Sequence, residues 1–208
     1  FWIRAGIRQE NQKLVNIIGK ANGALKAGNY DNARTLYANA LEIKKDNPIL
    51  NAAIVTSFVS EGNETGNEQE SFDAAKPYID IALEKGKDNA NIQVAVGYAY
   101  ETTGEYQRAF EFYDQAVKLD PNSADAWFHR GHVLEFLGRR QEAYQDYNKA
   151  YEFDKNNALV IIAKANMLLS DGKTQESFEM FKKAAGIRGT SAQVKSEALT
   201  SASLVRRS

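Results

Sequence analysis

Cysteine is absent from this 208-residue chain. Its absence removes thiol nucleophiles, zinc-cysteine sites, iron-sulfur clusters and any disulfide framework, and is as compatible with the cytosol as with a bacterial envelope. Proline is scarce, at three residues, while 43% of the residues are hydrophobic, so the chain is neither fibrous nor disordered. A surplus of charge of one sign is missing as well: 26 Lys and Arg face 27 Asp and Glu, for a formal net charge of -1. A protein that grips nucleic acid through its phosphates needs an excess of cations to displace counterions, so no nucleic acid is expected as the main partner. Nor is there an apolar run of about 18 residues, the length a membrane-spanning helix requires. The chain opens instead on Phe1-Trp2-Ile3, followed by Arg4, Arg8 and Lys13. That is the residue mix found where a transmembrane helix leaves the bilayer, which leads to the expectation of a membrane tether upstream of Phe1; the plainer reading is a hydrophobic N-terminal cap. Residues 1–13 are thus read as a juxtamembrane segment or an extension of the first helix.

What is present is a period of 34 residues. In the windows 90–123, 124–157 and 158–191, small residues recur at the eighth place (Gly97, Gly131, Ala165), the twentieth (Ala109, Ala143, Ser177) and the twenty-seventh (Ala116, Ala150, Ala184). An aromatic ring recurs at the twenty-fourth place (Tyr113, Tyr147, Phe181) and Gly at the fifteenth (Gly104, Gly138, Gly172). The frame runs back to 14–47, with Ala21, Gly28, Ala33, Tyr37 and Ala40 in the same places. Residues 48–89 make one further unit with eight residues to spare, and the register places the insertion near 61–70, in the turn between two helices. This acidic, Gly-containing stretch lacks the ligand order of a calcium loop and is expected as a solvated turn, or as a partner-specific contact.

The columns have physical causes. Apolar spacings of three and four on either side of each central Gly describe two amphipathic helices joined by a tight turn, whose Gly takes the positive φ that ends a helix. Small residues let two helices approach, and the aromatic ring fills the remaining space. Asn47-Pro48, Asn89, Pro121-Asn122-Ser123 and Asn157 are start signals for the next helix. Pro77 is expected in the first turn of its helix, where a missing N–H does little harm. Beyond Gly186 and Gly189, the spacing of Val194, Ala198, Ala202 and Val205 predicts a capping helix over 192–208.

These columns resemble the tetratricopeptide repeat. Gln93, Val96-Gly97, Tyr100, Ala109, Tyr113, Ala116 and Pro121 match its pattern in all but the first place, and Trp127, Gly131, Leu134, Ala143, Tyr147 and Ala150 match again, with Arg130 and Lys155 in place of the usual Leu and Pro. Val55 departs from the pattern, because a small residue is usual there. The resemblance implies an all-α fold: an α-solenoid of about five helix-turn-helix units, wound as a right-handed superhelix whose first helices line a peptide-binding groove. Carried over place by place, the groove residues are Ile18 and Asn22 in the first unit and Asn91, Val94, Tyr98 and Glu101 in the third. The fourth unit supplies Asp125, Phe128, His132 and Glu135, and the fifth Ile162, Asn166 and Leu169. Family members that clamp a chaperone's C-terminal carboxylate use Lys, Asn and Arg where this chain has Ile18, Val94, Ala95, Phe128 and His129, so that ligand is not expected. An amphipathic or hydrophobic segment, with a Lys or Arg for Glu101 and Glu135, fits better.

The two histidines, His129 and His132, lie three apart with Asp125 and Glu135 nearby, but steps of three rotate around a helix and do not converge on a metal. No phosphate loop, nucleophile elbow or catalytic triad pattern occurs. The expected function is therefore a non-enzymatic interaction scaffold or adaptor without cofactor or metal, in a bacterial envelope or membrane-associated assembly. Two other readings stand beside it: a substrate-recruiting domain of a larger enzyme, and a scaffold that self-assembles as a homo-oligomer.

Overall fold

A computed structural model describes the backbone of residues 2–205 and the side chains of residues 8–205. Phe1 and the side chains of Trp2, Ile3 and Arg4, on which the juxtamembrane expectation rests, lie outside the described residues. Among the described residues there are eleven α-helices and no strand, and no helix is long and apolar enough to cross a membrane. The chain forms two compact units, Phe1–Leu119 and Asp120–Ser208.

The first unit holds α1 (Trp2–Lys26), α2 (Tyr30–Ile43), α3 (Pro48–Thr65), α4 (Glu68–Gly86), α5 (Ala90–Thr102) and α6 (Tyr106–Leu119), paired as three antiparallel hairpins. The second holds α7 (Ala124–Phe136), α8 (Arg140–Phe153), α9 (Ala158–Ser170), α10 (Thr174–Gly186) and α11 (Ala192–Val205). The start signals act as caps: the side chains of Asn47, Asn89 and Asn157 each accept two backbone N–H bonds from the first turn that follows, and Ser123 accepts one. Gly104, Gly138 and Gly172 sit at φ of 78°, 74° and 75°, where a side chain would be strained.

Four of the five hairpins close on a ring at the twenty-fourth place. Tyr37, Tyr113, Tyr147 and Phe181 are fully buried. A Cβ added to Gly97 would lie 2.7 Å from the Tyr113 ring, and one added to Gly131 would lie 3.0 Å from the Tyr147 ring. The small column is thus the seat of the aromatic column. The α3–α4 hairpin inverts this arrangement: Val55 occupies the small place, Ile79 occupies the aromatic one, and both are buried in the same cluster. A larger residue on one helix is offset by a smaller one on the other, which keeps the volume constant.

Two expectations about this hairpin are corrected. The extra residues do not form a solvated loop between helices. Residues 61–65 are the last turn of α3, residues 68–70 begin α4, and only Gly66 (φ 74°) and Asn67 connect them. Helix continues because Glu61, Glu64, Glu68 and Glu70 are good helix formers and contacts to both neighbouring hairpins hold the added turn. Since α4 starts early, Pro77 falls in its interior and not in its first turn. It is tolerated on the exposed side, where water can serve the carbonyl that loses its N–H partner.

In the second unit α11 packs on α9 and α10. Its Ala198, Ala202 and Val205 share a core with Ile161, Ile162, Phe181 and Ala184. A final amphipathic helix thereby covers the apolar flank that the last hairpin would leave open.

Candidate functional site

In the first unit Ile18 is half-buried beside the Ala21–Tyr37 core, while Asn22 is exposed and accepts the Tyr37 hydroxyl at 2.6 Å. Asn91 is exposed on α5, and Val94 and Tyr98 are half-buried. Glu101 accepts the Tyr113 hydroxyl at 2.5 Å. Tyr98, expected in the groove, is already engaged: Asn63 Nδ2 donates to its hydroxyl at 2.6 Å. Burial pushes its phenol up from the ordinary value.

The added turn of α3 was missed as part of this face. The Tyr30 hydroxyl donates to Glu64 at 2.5 Å, and burial, then that hydrogen bond, pushes the Tyr30 phenol up to about 12. Arg34 reaches Glu61 at 2.7 Å, also pairs with Asp31, and stacks 4.4 Å above the Phe58 ring. The end of α3 therefore holds α2 through Glu61 and Glu64 and α5 through Asn63. The only signal in the sequence was its length of eight residues beyond the period, which carries no information about partners.

In the second unit α7 brings four expected residues together. Phe128 stacks with His132 at 6.3 Å and 13°, and His132 meets Phe136 edge-on at 5.1 Å. Spaced by four, the three rings form a ladder on one face of the helix. Phe128 also leans on the buried Tyr147, at 5.9 Å, while Phe136 is 56% exposed. Glu135 accepts the Tyr147 hydroxyl at 2.5 Å, and Asp125 lies 3.7 Å from His129. On α9, Asn166 and Leu169 are exposed, as is Leu159. Ile162 is a correction: expected on the groove floor, it is only 5% exposed, because the core shared with α11 covers its side of α9.

The Tyr–Glu bond explains a correlation within the chain. Where the twenty-fourth place carries a hydroxyl in α6 and α8, the twelfth carries a carboxylate to accept it. Where the ring is Phe181, the twelfth place is Leu169, and in the first hairpin, where the twelfth place is Leu25, the Tyr37 hydroxyl turns to Asn22 instead. A nearly buried hydroxyl needs an acceptor, and a Phe needs none. Arg130 is likewise accounted for: its Nε and a terminal nitrogen bind Asp146 at 2.7 and 2.8 Å, and it stacks 4.5 Å above Trp127. No group of three His, Cys, Asp or Glu that could hold a metal exists among the described residues.

Comparison with known proteins follows the same lines. Two family models, both described as tetratricopeptide repeat, match residues 68–124 and 112–145. Small glutamine-rich tetratricopeptide repeat-containing protein 2 of Mycosarcoma maydis is 26% identical over 111 residues, which are 53% of this chain and 29% of that protein. The match thus spans under a third of the relative's length. Among solved structures, a thermophilic tetratricopeptide protein of Thermus thermophilus, TTC0263, superposes with a TM-score of 0.73 at 17% identity, over 90% of this chain and 98% of that one. YrrB, described as a TPR protein with an unusual peptide-binding site, gives 0.55 at 20% identity over 95% and 97%. At such identities the structures speak for the fold alone. The 34-residue columns, the hairpins they build and the two models that match them agree: the chain carries tetratricopeptide repeats across residues 68–145.

Proposed function

We propose that this protein is an interaction scaffold that takes an amphipathic protein segment on the faces of its first helices, with the α7 face of the second unit as the principal anchor. The observation that carries the reading is the Phe128–His132–Phe136 ladder, which ends in a ring more than half exposed beside Glu135. An exposed aromatic next to a positioned carboxylate suits an apolar side chain followed by Lys or Arg. In the first unit Val94, Tyr98 and Glu101 offer a smaller version of the same chemistry, with Asn91 at its edge. Leu159, Asn166 and Leu169 extend the apolar and amide character on α9. YrrB, with its described peptide-binding site, shows that this fold can serve such a purpose in another chain. The reading assigns the protein no chemistry of its own.

Selection from a random peptide library tests it, with wild type, Phe136→Ala and Glu135→Gln in parallel. Phe136 is exposed, so its removal should leave the fold intact. We expect wild type to enrich peptides that pair large apolar residues with Lys or Arg. Phe136→Ala should lose them, and Glu135→Gln should relax the preference for the cation. Equal recovery by wild type and Phe136→Ala would sink the assignment of this face.

A further inference from the structure

Three side chains from three helices of the second unit converge without an acid among them: Tyr151 of α8, Lys164 of α9 and Lys183 of α10. Lys183 Nζ donates to the Tyr151 hydroxyl at 2.6 Å and lies 4.7 Å from the ring centroid. Lys164 Nζ lies 4.4 Å from the same centroid, so the two ammonium groups can be no farther apart than those two distances end to end. Among the described residues neither lysine has a carboxylate within ion-pair reach. The neighbouring acids are taken, Glu152 by Lys149 at 3.1 Å and Glu179 by Lys182 at 3.3 Å. Lys164 donates instead to the neutral Asn148 Oδ1 at 2.6 Å. Because the Tyr151 oxygen accepts from Lys183, its own proton is left without an acceptor among the described residues.

The repeat shows how unusual this is. Lys164 holds the seventh place of its unit, the place of Arg130 one unit earlier. The charge of Arg130 is met by Asp146 at the twenty-third place, but in the last hairpin that place is Met180. Lys164 is half-buried all the same, and a desolvated cation without a direct ion pair is costly. Lys183 beside it adds repulsion. Burial holds Lys164 below the usual lysine range, against the opposing pull of Tyr151 and Glu152 and with a smaller push from Lys183. The hydrogen bond from Lys183, with the charges of Lys183, Lys164 and Lys155, draws the Tyr151 phenol below its ordinary value.

We infer that Tyr151, Lys164 and Lys183 form a site for a phosphate group, bound as its dianion. The three donors gather around one ring, Lys183 at its hydroxyl and Lys164 4.4 Å from its centroid, and their two ammonium charges, with Lys155 acting on the same phenol, match a dianion. A carboxylate would neutralise only one of them. The donors are lysines, which act as point charges and do not demand the planar bidentate geometry of an arginine fork. With a second pKa of about 6, a phosphate monoester is dianionic at neutral pH. Lys164 is two residues from Asn166 and so about 200° around α9 from it. The phosphate site is thus separate from the peptide-facing side of that helix, and the two can be filled together.

The test uses protein carrying 13C-labelled lysine and follows the Lys164 and Lys183 side-chain resonances at neutral pH and constant ionic strength. Inorganic phosphate, O-phosphoserine and acetate are titrated in turn into wild type and Lys183→Met. Lys183 is exposed, so that variant should fold, and circular dichroism checks it. We expect saturable shifts of both lysines with phosphate, binding about ten-fold tighter than acetate, and loss of about ten-fold in affinity at Lys164 in Lys183→Met. O-phosphoserine binding as well as phosphate assigns the site to a phosphoryl group carried on a side chain, and binding of inorganic phosphate alone assigns it to the free ion; both support the site. Shifts that do not saturate, equal affinity for acetate, or undiminished binding in Lys183→Met would overturn it.

Discussion

The Tyr147 hydroxyl donates to the Glu135 carboxylate at 2.5 Å, from a ring that is itself fully buried against Gly131. One bond thereby joins the core of a hairpin to a carboxylate on its outward face. Tyr147→Phe should cost about 1.5 kcal/mol in urea unfolding, the low end for a hydrogen bond to a charged group, because the exposed Glu135 regains water. The double change Tyr147→Phe/Glu135→Leu reproduces the Phe181 and Leu169 pair of the last hairpin and should recover most of that loss. A double variant no more stable than Tyr147→Phe would show that the two places are not coupled.

Asp146 and Arg130 behave differently, because both are largely buried: their side chains are 5% and 18% exposed. Asp146→Ala leaves a guanidinium without its counter-charge and should lower stability by about 3 to 5 kcal/mol. Replacing both with leucine, the residue usual at the seventh place of the repeat, should come much closer to wild type. Denaturation midpoints of the three variants decide this.

Glycine at the eighth place is graded by the room it leaves. With 2.7 Å to the Tyr113 ring, Gly97→Ala forces a shift and should destabilise by about 1 to 3 kcal/mol. Gly131→Ala, at 3.0 Å, should cost less. Thermal unfolding of the pair gives the order directly.

Tyr30 supplies a pH dependence. Its phenol is raised to about 12, so the folded state keeps a proton that the unfolded state releases near its ordinary value of 10.0. The contribution to stability is complete below pH 10 and is lost as pH rises from there to about 12. In an absorbance titration of the ten tyrosines, one of the late-ionising phenols should disappear in Tyr30→Phe. In Glu64→Gln the same phenol should ionise earlier, since the carboxylate that retains its proton is gone.

The sequence by itself determined the repeat. A 34-residue period of small, aromatic and glycine places, with Asn and Ser caps between, is enough to set helix type, hairpin pairing and most of the core, because each is a local consequence of spacing. The face of α7 was also legible, since Phe128, His132 and Phe136 recur every fourth residue and must share a side. What only the tertiary structure decided is where contacts cross between units of the period. Whether eight extra residues become a loop or lengthen two helices depends on Tyr30, Arg34 and Tyr98, which are distant in sequence and adjacent in space. Ile162 looks like a groove residue by its place and is buried because a later helix covers it. The carboxylate partner of Arg130, and the neutral Asn148 that meets Lys164 in its stead, follow from which side chains face them across the helices. Periodicity fixes a residue's direction on its own helix, and the neighbour it meets is settled only when the helices pack.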